Sequence, residues 1–189
     1  MEIITVHYNT PDLLDNLLGS IRDCSPLPIR VIDGSDTEEF HRLTKEICGD
    51  YSNVIVEQLG YNIHHGPGMD YAMNTTKHDW VLIIDSDSMI KEGLLEVLLY
   101  DKPYMGFGMQ VNAQGFNVAK GILYLHPHFL LVNRQHYYIH PWKFIRHGAP
   151  AIQIMAVLPD SDKNVIPEEY QKYFVRGGRG TVNRFGYNL

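Results

Sequence analysis

The run Trp80-Val81-Leu82-Ile83-Ile84 constrains this chain more than any other stretch, because it ends abruptly in Asp85-Ser86-Asp87. Nothing in the run alternates with polar residues, so it reads as a strand buried on both faces of a sheet. The two aspartates then lie where the strand leaves the sheet. In open α/β sheets the crevice at the carboxyl ends of the strands is where ligands bind. Paired carboxylates there are costly to desolvate without positive charge, and a divalent cation meets that need. The plain alternative is that Asp85 and Asp87 are surface loop or capping residues, for which Asp is common.

The chain before this run supplies the sheet. Ile3-Ile4-Thr5-Val6 is a β-branched strand followed by the turn His7-Tyr8-Asn9-Thr10-Pro11. Pro11 suits a helix start, and Leu13, Leu14, Leu17, Leu18 and Ile21 form a helical stripe. Ile29 to Ile32 is a second strand with Asp33-Gly34-Ser35-Asp36 after it; a second helix presents Phe40, Leu43 and Ile47; Val54-Ile55-Val56 is a third strand. A glycine-rich loop from Gly60 to Gly68 leads to a short helix over Met69 to Thr76. Strand and helix alternate, which predicts an α/β fold with a mainly parallel sheet, helices on both faces and right-handed crossovers. Parallel strands bring Tyr8 and Asn9, Asp33 and Asp36, and Asp85 and Asp87 to one edge. That convergence favours a site over a set of surface caps.

The second half alternates less cleanly. Tyr104 to Val111 reads as a strand with a glycine-marked bend, and Ile122–Leu125 and Phe129–Val132 read as two strands broken at His126-Pro127-His128. Gln135 to Phe144 is an aromatic short helix or irregular lid, Ala151 to Leu158 a helix, and Arg176 to Thr181 a basic glycine loop. The 189 residues fit one domain, with 1–100 as a ligand-binding half and 101–189 as a second half with a basic tail; they also fit one domain of a longer protein. A formal net charge of −6 leaves no broad footprint for nucleic acid. No apolar stretch reaches membrane-spanning length, and Met1-Glu2 leads straight into a strand rather than a signal peptide. Cys24 and Cys48 lack metal-ligand or redox spacing, consistent with a reduced, cytoplasmic chain.

Carboxylates at i and i+2 can divide labour, one accepting from a sugar hydroxyl while the other binds a hard cation. Magnesium and manganese keep waters and bridge to phosphate oxygens, so a diphosphate is the natural partner, and the metal stabilises charge on it as it departs. Asp33, at a neighbouring strand end, is placed to accept from a base N–H. His65, the amides near Gly66 and Gly68 at a helix start, and Arg179 would complete a diphosphate site.

The ordered series Ile3 to Asn9, Asp33-Gly34-Ser35, Asn62 to Asn74 and Asp85-Ser86-Asp87 resembles nucleotide-sugar glycosyltransferases of the GT-A fold, family 2 type. Phe129 to Asn133 and the Gly-Gly-Arg-Gly-Thr stretch at 177–181 resemble the same family less specifically. The short chain, His126-Pro127-His128 and the late arginines are also similar to capsid-glycan glycosyltransferase domains of large algal viruses, which would put the chain in host cytoplasm. The resemblance implies a Rossmann-like GT-A domain using Mn2+ or Mg2+ to move a sugar from a UDP-sugar to a hydroxyl of a glycan or glycoprotein. It implies that Val6, His7 and Tyr8 line the nucleoside pocket and Asp33 holds the base. Asp85 would hold the ribose or sugar-phosphate, also within reach of the metal, with Ser86 between it and Asp87, the principal metal ligand.

Two departures stand out. Many inverting relatives place an acidic pair after the acceptor region, whereas this chain has Arg146-His147-Gly148-Ala149-Pro150, leaving His147 as the candidate base unless the enzyme retains configuration. Relatives often carry a metal-ligating histidine where Arg176 stands, and Arg cannot ligate a cation. His126 and His128 look like a metal pair, but two ligands rarely make a site. Tyr137, Tyr138, Trp142 and Phe144 read as sugar-stacking rings or as a satellite core. The alternatives are a sugar nucleotidyltransferase, which the loop His7 to Pro11 disfavours by lacking an early glycine-rich basic motif, and a non-catalytic nucleotide-sugar or glycan-binding domain.

Overall fold

The computed structural model describes residues 1–177, 183 and 184. Four strands of the first half, β1 (Glu2–His7), β2 (Ile29–Asp33), β3 (Val54–Gln58) and β4 (Trp80–Ile84), alternate with helices α1 (Pro11–Arg22), α2 (Glu38–Gly49) and α3 (His65–Thr75). They pair in parallel in the order β3-β2-β1-β4. The second half extends the same sheet through β6 (Tyr104–Val111), β7 (Ile122–Asn133) and β8 (Lys163–Val165), giving seven strands in the order β3-β2-β1-β4-β7-β6-β8. Only β7 runs against the others, pairing antiparallel with β4 and β6. That half also carries two short helices, α4 (Arg134–Ile139) and α5 (Ile152–Val157). A separate ribbon joins β5 (Ser88–Ile90) to β9 (Phe174–Arg176).

The unalternating run of β4 is explained by cover on both faces. Val81 and Ile83 pack with Ile4, Met69 and Met73 on one side, while Leu82 and Ile84 pack with Ile3 and the α1 stripe Leu14, Leu17, Leu18 and Ile21 on the other. Helix α2 buries Thr44 and Cys48, with Leu43 and Ile47 half-buried, so its buried face is rotated from the apolar one. Arg30 is buried in the sheet and donates to Glu2, Glu57, Thr75 and the Ala72 carbonyl, which satisfies a charge that would otherwise be costly there. Cys24 and Cys48 are free thiols. Among the described residues no helix is long and apolar enough to cross a membrane.

Two elements differ from expectation. Helix α3 begins at His65, earlier than Met69, because His64 takes a left-handed φ of 62° and turns the chain into the helix. The two strands expected around His126-Pro127-His128 are one strand, β7. Its register against β6 slips between Gly106 and Gly108, so residues 126–129 bulge opposite Phe107. Pairing with β4 ends at Ile84↔Phe129, so the N–H that Pro127 lacks is not demanded by the ladder.

Candidate active site

A crevice of about 800 Å³ opens at the carboxyl ends of β1 and β4. One wall comes from the regular half: Val6, His7 and Tyr8 at the end of β1, Asn62 to Gly66 ahead of and at the start of α3, and Asp85, Ser86 and Asp87 after β4. The other comes from the irregular half: Gln114 to Phe116 between β6 and β7, His126 and Pro127 in the bulge, Arg146 to Gly148 and Pro150 between α4 and α5, and Arg176 at the end of β9. Negative charge stands on the first wall, and Arg146 and Arg176 stand on the second.

The β1 end is held from beneath. His7 is fully buried; its Nε2 accepts the Thr10 backbone N–H at 3.1 Å, so its Nδ1–H donates to Asp33 Oδ1 at 3.0 Å. Asp33 also receives the Ser35 N–H at 3.0 Å, contacts His41 Nδ1 at 3.0 Å and accepts from Gln58 Nε2 at 3.4 Å. Burial raises its pKa, but the hydrogen bonds from His7 and Ser35 outweigh that and bring it down to about 2. Asp33 therefore lies under the crevice and not in its wall, unlike the base-holding position expected from sequence: its side chain is 0% exposed and both its oxygens are engaged. Tyr8 lies in the wall, its hydroxyl donating to Asp36 Oδ2 at 2.7 Å; burial and then Asp36 push its pKa up to about 12. Asn9 adopts φ 50° and clamps the same Asp36 through its amide at 2.8 Å.

In the Asp85 wall a histidine ring faces a carboxylate. His65 Nε2 lies 3.0 Å from Asp85 Oδ1, and both atoms are buried although each side chain is partly exposed. Burial pulls the His65 pKa down, but the Asp85 charge, with Asp87 behind it, raises it above the ordinary value. Burial likewise raises Asp85, and His65 more than reverses this, holding the carboxyl well below the usual range. His65 thus reaches Asp85, whereas the sequence pointed it at phosphate. Gly68 lies behind the wall: a Cβ there would come 2.7 Å from Val6, so its role is to let α3 press against β1. Gly66 does the same for the two halves, since a Cβ would fall 1.9 Å from the Ile145 carbonyl oxygen. Helix α3 begins in the wall with no side-chain cap at His64, and a helix N-terminus of this kind attracts anions.

The bulge brings His126 and His128 to Asp85. His126 Nδ1 accepts the His128 backbone N–H at 3.1 Å and also contacts His128 Nδ1. His128 is buried between Phe107 and Phe174, with stacked rings at 5.8 and 4.9 Å. Burial lowers His126 to about 4 and His128 to about 3, so both are neutral near pH 7. His147 Nδ1 accepts the Ala149 N–H at 2.9 Å. In that tautomer the ring proton sits on Nε2, so His147 presents a donor and not the base expected from sequence. Arg179 lies outside the described residues; the strand before it is tied to the Asp85–Asp87 turn, with Gly177 N–H donating to the Asp87 carbonyl at 2.6 Å. Sequence reasoning missed Arg146 and the Gln114–Phe116 turn, whereas Arg176, which reads from sequence as either a diphosphate clamp or part of a solvated tail, stands in the crevice wall. The four aromatics singled out do not line the crevice: Tyr137 and Phe144 are buried and stack at 5.2 Å, and Trp142 stacks on His140.

Residues 2–103, more than half of the chain, match the family model of glycosyl transferase family 2. The chain belongs to that family. A search of curated protein sequences finds no match to it. Among solved structures this glycosyltransferase-family chain is similar to the mannosyltransferase PcManGT from Pyrobaculum calidifontis, solved with GDP-Man and Mn2+. That match has 13% identity and a TM-score of 0.67 and covers 88% of this chain and 54% of that one. It is similar to S. aureus TarS in complex with UDP-GlcNAc at 17% identity and a TM-score of 0.64, covering 92% and 57%. It is also similar to GalNAc-T7 with UDP, GalNAc and Mn2+ at 11% identity and a TM-score of 0.57, covering 72% and 35%. At these identities the likeness is one of fold, the GT-A fold, and this chain spans about half the length of the first two structures.

The donor set bears on the metal of GT-A enzymes. Among the described residues no three His, Cys, Asp or Glu side chains are grouped to hold a metal ion. A closed protein cage is therefore not what these residues build. Asp85 and Asp87 on one turn fit the open arrangement in which one or two carboxylates bind a hard cation and phosphate oxygens and water complete its shell.

Proposed function

We propose that residues 1–189 form one catalytic domain of a metal-dependent glycosyltransferase that moves a sugar from a UDP-sugar to a hydroxyl of a glycan or glycoprotein acceptor. The observation that carries this reading is the two-signed crevice, with Asp85-Ser86-Asp87 at the end of β4 facing Arg146 and Arg176. A diphosphate with its cation is the ligand class that matches both signs at once. Family membership supports the transfer chemistry, and the neighbours solved with UDP-GlcNAc and GDP-Man support the donor class.

In this reading Asp87 is the principal ligand of Mn2+ or Mg2+, and the cation supplies Lewis-acid stabilisation of the departing diphosphate when bound. Asp85, fixed by His65, accepts from the ribose or the sugar and is the secondary metal contact. Val6 and Tyr8 flank the nucleoside, and Asp33 acts through His7 and Ser35 by holding the β1 loop in shape. Arg146, Arg176 and the Nε2–H of His147 donate to the diphosphate, where charge develops as the sugar–phosphate bond breaks. A non-catalytic nucleotide-sugar-binding domain is the second reading, favoured by one observation: Asp85 and Asp87 are the only carboxylates lining the crevice among the described residues.

Calorimetric titration with UDP, UDP-glucose, UDP-GlcNAc, GDP and GDP-mannose, with and without Mn2+, tests the reading. The expected result is strongest binding by the UDP compounds, greatly weakened without metal and in Asp87→Ala. Strongest binding by a guanine nucleotide overturns the UDP assignment. Binding without any release of UDP from the UDP-sugars selects the non-catalytic domain.

A further inference from the structure

The turn between β6 and β7 carries an aromatic ring that the donor reading does not use. Phe116 is 70% exposed, yet it belongs to the crevice lining together with Gln114 and Gly115. A ring of this size left in water on a mobile loop would be unremarkable, but this turn is fastened at every position that matters. Asn112 Oδ1 accepts the backbone N–H of Gln114 and of Phe116, each at 3.0 Å. Asn112 N–H donates to the Phe116 carbonyl at 2.9 Å, and Gly115 N–H to the Asn112 carbonyl at 2.9 Å. Gly115 adopts φ +84°, and a Cβ there would lie 2.5 Å from the Ala149 Cβ, so the turn is pressed against the loop that carries Arg146 and His147. The backbone that carries the ring is held at the crevice before any ligand arrives, which lowers the ordering cost of binding.

We propose that Phe116 is the stacking platform of the acceptor subsite, receiving the apolar C–H face of a pyranose ring whose hydroxyls are met by Gln114. The inference rests on the glycosyltransferase reading and names the acceptor class for the same crevice. Tyr8 and Phe116 are the only Phe, Tyr or Trp residues in the lining among those described, and Tyr8 belongs to the β1 end with its hydroxyl on Asp36. Phe116 stands on the opposite wall, where the acceptor must approach if the nucleotide occupies the strand ends. A pyranose presents one face of C–H groups and a rim of hydroxyls. An aromatic ring matches the face, and a side-chain amide, which both donates and accepts, matches the rim.

The test uses saturation-transfer NMR with methyl β-D-galactopyranoside and methyl β-D-glucopyranoside as probes, in the presence of UDP and Mn2+, beside a UDP titration. In the wild-type chain the ring C–H protons of at least one glycoside receive saturation. Phe116→Ala reduces it at least fivefold, Phe116→Tyr retains it, and in both the affinity for UDP stays within twofold and the melting temperature is unchanged. Equal saturation in Phe116→Ala overturns the subsite, as does a parallel loss of UDP binding, which would make the ring part of the donor wall. No saturation in the wild type with UDP bound overturns the subsite alone. No binding of any nucleotide by the wild type overturns the glycosyltransferase reading beneath it.

Discussion

The two walls of the crevice are built by different means. The Asp85 wall stands on parallel strand ends, each locked by neighbours in a regular register: Val6↔Ile32, His7↔Asp33 and Ile4↔Ile83. The facing wall stands on a bulge, two loops and a three-residue ribbon strand, whose positions depend on contacts far apart in sequence. Regular strand ends hold groups that must keep their geometry, here the carboxylates. Loops packed on that frame add cations and rings, and these are cheaper to vary. The contrast predicts that changes on the first wall abolish function, while changes on the second grade it.

The largest effect should follow Asp87→Ala. Release of UDP from a UDP-sugar should fall on the order of a thousandfold, with the melting temperature near wild type. Retention of turnover within tenfold would break the contrast at its strongest point. Next is the seam between the walls. Gly66→Ala puts a Cβ against the Ile145 carbonyl, a backbone atom that cannot swing away, and should cost about 3 kcal/mol in urea unfolding. Gly148→Ala, where a Cβ would meet nothing within 4 Å, should stay within about 0.5 kcal/mol and serves as the matched control.

The support under the first wall is testable by pH. Asp33 has its folded pKa lowered from 3.8 to about 2, so its contribution is fully present above the unfolded value and is lost as pH falls from about 4 through 2. At about 1.4 kcal/mol for each pH unit this is worth about 2 kcal/mol. Stability measured by denaturant titration between pH 5 and pH 2 should therefore fall more steeply in the wild type than in Asp33→Asn, which starts lower. Parallel curves would show that Asp33 holds nothing. The smallest functional effect belongs to the second wall. His147→Gln keeps an N–H near the Nε2 position and should lower kcat less than about tenfold, a loss of about 1.4 kcal/mol. A loss as large as that of Asp87→Ala would instead mark His147 as the base.

Most of the first wall was legible before the fold was known. The β-branched run Ile3–Val6, the α1 stripe and the unalternating β4 are local patterns, and a parallel α/β order by itself brings their carboxyl ends together. Asp33 shows where that logic stops. It lies at the right strand end, but the backbone N–H of Thr10 fixes the His7 tautomer and the buried His7 Nδ1–H then engages Asp33 beneath the crevice, a contact that no spacing announces.

The chain's own order thus determined the fold class, the crevice and the pair Asp85 and Asp87, because strand period and strand direction are properties of neighbouring residues. Tertiary structure alone decided the facing wall. His126-Pro127-His128 read as a strand break because Pro127 lacks an N–H; only the end of β4 pairing at Ile84↔Phe129 makes that N–H unnecessary and lets one strand bulge beside Asp85. The aromatics at 137–144 read equally as sugar platforms or as a satellite core, and the fold puts Tyr137 and Phe144 in the core with Trp142 against it, while Phe116 stands in the crevice because Asn112 and Ala149 fix its turn there. Long-range pairing chooses which loop reaches a site, and a loop's own sequence carries little trace of that choice.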